Sequence, residues 1–266
     1  MSANHRLTYP TKRPALILAL LLGVALLTPG LAFADTPPSV EALKKNPGAL
    51  LAALDKRHNH YPTQKWDFEM VITPSSGAVR TVTFNVWQKG TKRLVRFTGP
   101  GDIKGMSVLS RGSNKMYVFS PQTGNARSIA AHAKRQTLLG SDMGFDDMSQ
   151  LDFAPSYSAV VTKSDATHVW LDLTATSDDA NWKKLRLRVD AKHAMIDRIE
   201  YLEDGKMVKL QERTDFAVID GVPTYKTITV SRPGNRGSTA LKMLTQKIGD
   251  DIPNRVFTKR SLVRGN

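Results

Sequence analysis

The sequence predicts a mainly β protein of the α+β class, organised on one large antiparallel sheet. From Gln64 to Ile248, apolar and polar residues alternate with period two in about a dozen runs, separated by clusters of Gly, Pro, Asn, Asp and Ser. Only two substantial stretches, 46–58 and 138–148, leave that pattern for a helical one. No linker or low-complexity run divides the chain, so one domain is expected. Consecutive strands in such number cannot stay flat, because sheets twist and must curl or close. A barrel or an incomplete barrel follows, with a two-sheet sandwich as the alternative.

The chain opens on an address. Arg6, Lys12 and Arg13 make a basic front, Ala15 to Leu27 an apolar core and Ala32-Phe33-Ala34 a cleavage site, so residues 1–34 read as a secretory signal peptide. That core is shorter than the roughly 20 residues a spanning helix needs. Cysteine is absent, which excludes a disulfide framework and the lipid-attachment cysteine of an anchored lipoprotein. A soluble protein of the bacterial periplasm is expected. Lys and Arg number 38 against 24 Asp and Glu, and losing the three signal cations reduces the net charge of +14 to +11. The excess suits an anionic membrane surface; nucleic acid is not an expected partner after export.

Residues 35–60 form a polar leader and an amphipathic helix. Glu41 to Lys45 can make a first turn, and Asn46-Pro47 starts a helix afresh, with Asn as N-cap and Pro in the first position. Leu50, Leu51 and Leu54 share a stripe, and Lys56, Arg57 and His58 sit where the helix dipole favours cations. The half-barrel domain is expected over 61–266. Trp66, Phe68, Met70 and Ile72 alternate with polar neighbours, Val82, Phe84 and Val86 repeat the pattern, and Arg93 to Thr98 forms a third strand of a meander. Met106 to Ser110, Met116 to Ser120 and Asn125 to Ile129 extend it. The glycine-punctuated run Leu138 to Met148 then interrupts the strands; Ser141 or Asp142 is placed to cap a short helix lying over one face of the sheet. Seven further strands are expected between Tyr157 and Ile248.

Several motifs appear in a telling order. Gly105-Met106-Ser107-Val108-Leu109, Met116-Tyr117-Val118-Phe119-Ser120-Pro121, Arg127-Ser128-Ile129 and Leu139-Gly140-Ser141-Asp142-Met143 with Phe145-Asp146-Asp147 resemble the LolA-like outer-membrane lipoprotein-sorting protein family. Ile252-Pro253 with Phe257 to Leu262 resembles that family's C-terminal strand. The resemblance covers Trp66 to Leu262 and implies an incomplete antiparallel β-barrel with helices as a lid over an apolar concavity. It departs from the family at Met143-Gly144, where an aromatic is usual, and in having one Arg127 rather than paired arginines on the return strand. The cavity is therefore carried over and the cargo is not.

An acyl chain of sixteen carbons exposes about 0.8 kcal/mol per CH₂ to water, on the order of 12 kcal/mol in all. An eight-residue strand is about 26 Å long, enough to shelter it. The candidate acyl-binding residues are Trp66, Phe68, Met70, Phe84, Val86, Val95 and Phe97, and the candidate lid residues are Leu51, Leu54, Leu139, Met143 and Phe145. No catalytic residue is expected, because the sequence lacks Gly-x-Ser-x-Gly, His-Glu-x-x-His, a phosphate-cradling Gly-x-x-x-x-Gly-Lys and a dinucleotide fingerprint. His58-Asn59-His60 reads as a solvated helix cap rather than a metal site, Asp146-Asp147 as capping or surface solvation, and Asp178-Asp179 as turn chemistry. No cofactor or metal is expected. The implied function is a monomeric carrier of lipid or lipoprotein acyl chains toward the outer membrane, loaded by an inner-membrane transporter. The alternative is a non-enzymatic lipoprotein sensor or protein-interaction module of an envelope complex.

Overall fold

The computed structural model describes residues 39–59, 62–112, 115–149, 152–178 and 180–264. The signal peptide, the leader up to residue 38, His60 and Asp179 lie outside them. Thirteen strands form a single antiparallel sheet. Six lead away from its centre: β1 (Thr63–Thr73), β2 (Arg80–Lys89), β3 (Lys92–Gly99), β4 (Ser107–Arg111), β5 (Met116–Ser120) and β6 (Asn125–Ser128). Seven return from the far edge: β7 (Tyr157–Ser164), β8 (His168–Ala175), β9 (Lys184–Asp190), β10 (Met195–Glu203), β11 (Lys206–Ile219), β12 (Val222–Ser231) and β13 (Ser238–Ile248). Their spatial order is β6-β5-β4-β3-β2-β1-β13-β12-β11-β10-β9-β8-β7. First and last strands are therefore neighbours, β6 and β7 are opposite edges, and the curled sheet does not close into a barrel. The sandwich alternative is not adopted.

Four α-helices accompany the sheet: α1 (Val40–Leu43), α2 (Pro47–His58), α3 (Phe145–Ser149) and α4 (Lys259–Arg264). Helix α2 begins where the sequence placed it. Asn46 Oδ1 accepts from the Ala49 amide at 3.1 Å, and Pro47 occupies the first turn, where its missing N–H is not needed. Leu50, Leu51 and Leu54 are fully buried, as their shared stripe requires.

A meander reversed this way needs one connection from edge to edge. Residues 129–149 and 152–156 belong to it, and they pack on the inner face of the sheet. They separate two cores. One packs Met70, Phe84, Phe97 and their neighbours on β1–β5 beneath Leu138, Met143 and Phe145. The other packs the α2 leucines and Phe153 on β7–β10. A third cluster lies on the outer face, where Ile252, Val256, Phe257 and Leu262 cover Leu94, Leu109 and Phe119.

This outer cluster corrects one expectation. Residues 254–264 form a 3-10 turn and α4 rather than a C-terminal strand. Val256, Phe257 and Leu262 must all turn toward one patch, which a helical path allows and period-two alternation does not. Thr258 Oγ1 accepts from the Ser261 amide at 3.2 Å at the start of α4.

The crossing segment is pinned at two places, and both differ from the sequence reading. Neither Ser141 nor Asp142 caps α3; Gly144 precedes it, donating its amide to Asp147 Oδ2 at 2.7 Å. Asp142 instead binds Thr239 at the centre of the sheet, through its amide (2.8 Å) and its carboxylate (3.1 Å). Asp146 and Asp147 are not solvated: both carboxylates are buried around the Lys209 ammonium, at 3.6 and 2.8 Å. The reason is that α3 lies buried against the sheet, so both of its acidic side chains reach the same cation. A Cβ on Gly144 would collide with the Asp146 carboxylate, so only glycine fits there.

Removing one partner of a buried ion pair leaves the other charge uncompensated, at a cost of about 3–5 kcal/mol. Lys209→Met should lower the unfolding free energy by about that amount, and adding Asp146→Asn and Asp147→Asn should recover much of it. Urea denaturation of the parent, single and triple variants measures both effects. A single variant as stable as the parent would show that the cluster does not hold the segment.

Candidate functional site

Between the two inner cores the centre of the sheet is left unfilled. The cavity there measures about 180 Å³, more than ten times the roughly 10–15 Å³ that one water requires. Its apolar wall is laid out by strand register. Trp66 pairs across from Val86, Phe68 from Phe84, and Val86 from Val95. These alternate positions share one face, and the Phe68 and Phe84 rings stack at 5.5 Å. Met143 and Met148 reach into the cavity from the crossing segment. Of the remaining sequence candidates, Met70 and Phe97 lie in the solid core below, Leu139 and Phe145 pack against that core, and Leu51 and Leu54 belong to the core over β7–β10.

Ile196, Ile199, Ile228, Leu241 and Met243 on β10, β12 and β13 continue the apolar lining, and a group of polar side chains interrupts it. Helix α2 contributes Asp55, Arg57 and His58 from its C-terminal end, β3 contributes Arg93, and β10 and β11 contribute Tyr201, Gln211 and Arg213. Sequence reasoning missed all of these as cavity residues. Arg93 had a usable signal, since it alternates with Val95 and Phe97. On β11 the inner face carries Lys209, Gln211 and Arg213, and an alternation of that kind reads as a solvent face.

The cavity acids are already engaged. Asp147 Oδ1 and Oδ2 lie 2.8 and 3.0 Å from Lys209 Nζ, and Tyr201 Oη donates to Asp147 Oδ1 at 3.2 Å. Asp55 Oδ2 accepts from the Phe153 and Ala154 amides at 2.8 and 2.7 Å, tying α2 to the crossing segment. Desolvation outweighs these two bonds and pushes the Asp55 carboxyl up to about 7.

Arg93 and Arg213 are engaged differently. Arg93 donates to Gln88 Oε1 (2.7 Å through Nη2) and to the Met148 carbonyl (3.3 Å). With its amide nitrogen turned toward Tyr201 Oη, Gln211 Oε1 accepts from Arg213 Nε and Nη2 at 3.0 and 3.1 Å. All these acceptors are neutral. Desolvation and the neighbouring Arg213 charge draw the Arg93 guanidinium down to about 10. His58 keeps accessible surface, yet desolvation by the surrounding protein and the fields of Arg213 and Arg93 lower its pKa, so it is neutral at physiological pH. His58 therefore sits at the exposed end of α2, as its sequence suggests, and also borders the cavity. Among the described residues no group of three or more His, Cys, Asp or Glu side chains is arranged to hold a metal ion.

Solved structures share this architecture. A DUF1329 family protein from Desulfovibrio piger has a TM-score of 0.75 at 20% identity, covering 82% of this chain and 98% of its own. A structure described as an outer membrane lipoprotein-sorting protein domain from Vibrio parahaemolyticus gives 0.74 at 16% identity, covering 83% of this chain and 100% of its own. A LolA superfamily protein from Nitrosomonas europaea gives 0.69 at 19% identity, covering 80% and 97%. The fold is the curled, lidded sheet of LolA-like proteins. A family model whose description reads "Uncharacterized protein" matches residues 89–264, and the chain belongs to that family. No curated protein matches the sequence.

The raised Asp55 pKa fixes the sign of a pH effect. Between about pH 4 and 7 the folded state holds a proton that the unfolded state has lost, so this group's contribution to stability falls as pH rises through that window. Asp55→Asn keeps an acceptor for the two amides and carries no charge. Its stability relative to the parent should improve with pH by up to about 1.4 kcal/mol per unit across the window. Denaturation of both proteins near pH 4.5 and pH 7.5 measures this, and parallel pH profiles would refute a desolvated Asp55.

Proposed function

We propose that this protein is a periplasmic carrier that shelters the acyl chain of a lipid or lipoprotein in the central cavity on its way toward the outer membrane. The observation that carries this reading is the unfilled space at the middle of the sheet, walled by Trp66, Phe68, Phe84, Val86 and Val95. A sheet evolved only for packing would close that gap, because protein interiors are normally filled to crystal-like density. Met143 and Met148 give the crossing segment an adaptable lining, as unbranched thioethers fit cargo of varied shape. The lipoprotein-sorting description of the structurally similar Vibrio domain supports the same destination.

In this reading the protein performs no reaction, and the helix from Pro47 to Arg57 together with the segment Gly140 to Met148 forms the gate. Residues 1–34 direct export, and the domain spans 61–266. Among the described residues no helix is long and apolar enough to cross a membrane. Loading comes from an inner-membrane transporter, and the basic surface assists approach to anionic headgroups.

Trp66 offers a direct test, because of the four tryptophans it alone lines the cavity. A bromine-labelled monoacylglycerol should quench part of the intrinsic fluorescence saturably, and Trp66→Phe should remove that quenching while binding persists. Phe68→Asp, which places an unpaired charge on a half-buried wall residue, should weaken binding at least about tenfold. Absence of saturable quenching in the parent, with no acylated species extracted from protein purified without detergent, would overturn the carrier reading.

A further inference from the structure

Most of the cavity lining is apolar, from Trp66, Phe68 and Phe84 on one side to Ile199, Ile228 and Met243 on the other; set into it are two guanidinium groups, Arg93 of β3 and Arg213 of β11. Among the described residues neither guanidinium makes an ion pair, and each hydrogen-bonds only to uncharged oxygens. Both arginines are half-buried, and since arginine does not relieve desolvation by losing its proton, each guanidinium stays charged and is suited to an anionic partner in the cavity.

Among the described residues no carboxylate reaches ion-pairing distance of either guanidinium, although the fields of Asp152 and Asp197 extend to Arg93 and Arg213. Asp147 is satisfied by Lys209, and Asp55 is turned onto two backbone amides. Asp152, whose field acts on Arg93, is held by Asn59 Nδ2 at 2.6 Å. The two arginines influence each other and His58 electrostatically, so their charges converge on one region of the cavity. Planar forks with remaining N–H donors suit the oxygens of a carboxylate or phosphate. Another Gln amide in the wall, Gln64, has an Nε2 without a hydrogen-bond partner and adds a further donor.

We infer that the cavity selects an anionic amphiphile, its acyl chain against Trp66, Phe68 and Phe84 and its carboxylate or phosphate head on Arg93 and Arg213. This inference rests on the carrier reading above and narrows it to cargo with a negative head. The arrangement also orients the cargo, since a reversed ligand would press apolar chain onto desolvated charge.

Competition against the bromine-labelled monoacylglycerol tests it. At pH 8, tetradecanoate should displace the probe from the parent at a concentration at least about tenfold lower than 1-tetradecanol does. In Arg93→Met/Arg213→Met that preference should shrink to within about twofold, with binding of the alcohol retained; replacing half-buried, unpaired charges by apolar side chains favours folding of the variant. Equal displacement by acid and alcohol in the parent would overturn the inference while leaving the carrier reading intact. Displacement by inorganic phosphate alone at the same concentrations would also overturn it, by making the site one for free anions. Failure of the probe to bind at all would overturn both readings together.

Discussion

Lys209 lies on the inner face of β11, and the charges that match it come from α3, on the far side of a long excursion from edge to edge. A sheet whose chain reverses only once needs such a joint. The crossing segment must lie over the inner face, and a backbone there has to satisfy its polar groups and bury its apolar ones at once. Asp142 on Thr239 and the Asp146–Asp147–Lys209 cluster hold it near the centre of the sheet; Met143 and Phe145, between those anchors, supply apolar packing. The position of the segment then defines the cavity, as it separates the core over β1–β5 from the core over β7–β10.

Two kinds of desolvated cation behave differently: Lys209, and the pair Arg93 on β3 and Arg213 on the same strand as Lys209. Lys209 is matched by carboxylates and stacks near the Tyr201 and Trp182 rings, at 4.0 and 4.9 Å. It is a structural ion, closed on every side. Arg93 and Arg213 face open space with neutral partners. Partly desolvated charges without a contacting counter-charge cost stability, and two of them stand half-buried beside apolar residues here. The carrier reading and the preference for an anionic head account for the same expenditure.

Much of the architecture was legible from alternation alone. β5 and β13 fall on the residues their patterns mark, and Asn46-Pro47 sets the start of α2 through local chemistry that needs no tertiary context. What escaped was decided by burial of polar residues. Lys209, Gln211 and Arg213 look like a solvent face until the sheet curls over them, and Asp146-Asp147 look like a helix surface until α3 is buried. The C-terminal segment was misread for a related reason: Ile252, Phe257 and Leu262 are apolar enough for a strand, and only the outer patch of Leu94 and Leu109 makes the helical path better. The apolar wall was visible as a face, but periodicity does not distinguish a filled face from an open one, so Met70 and Phe97 in the core read the same as Trp66 and Phe68 in the cavity.

The central pair of strands has a kinetic meaning. β1 and β13 are the first and last strands of the chain and meet at the middle of the sheet along ten paired positions, Phe68 beside Met243 among them. Each half of the meander can zip locally by hairpins, but joining β1 to β13 must close the largest loop in the molecule, and such non-local pairings are slow to form. Until that seam closes, each half-sheet carries an unpaired inner edge, the kind of edge that recruits other chains. The cavity lining straddles the seam, with Trp66 and Phe68 on β1 and Leu241, Met243 and Gln246 on β13. The cavity is therefore complete only once β1 and β13 are joined, and neither half of the meander can form it alone.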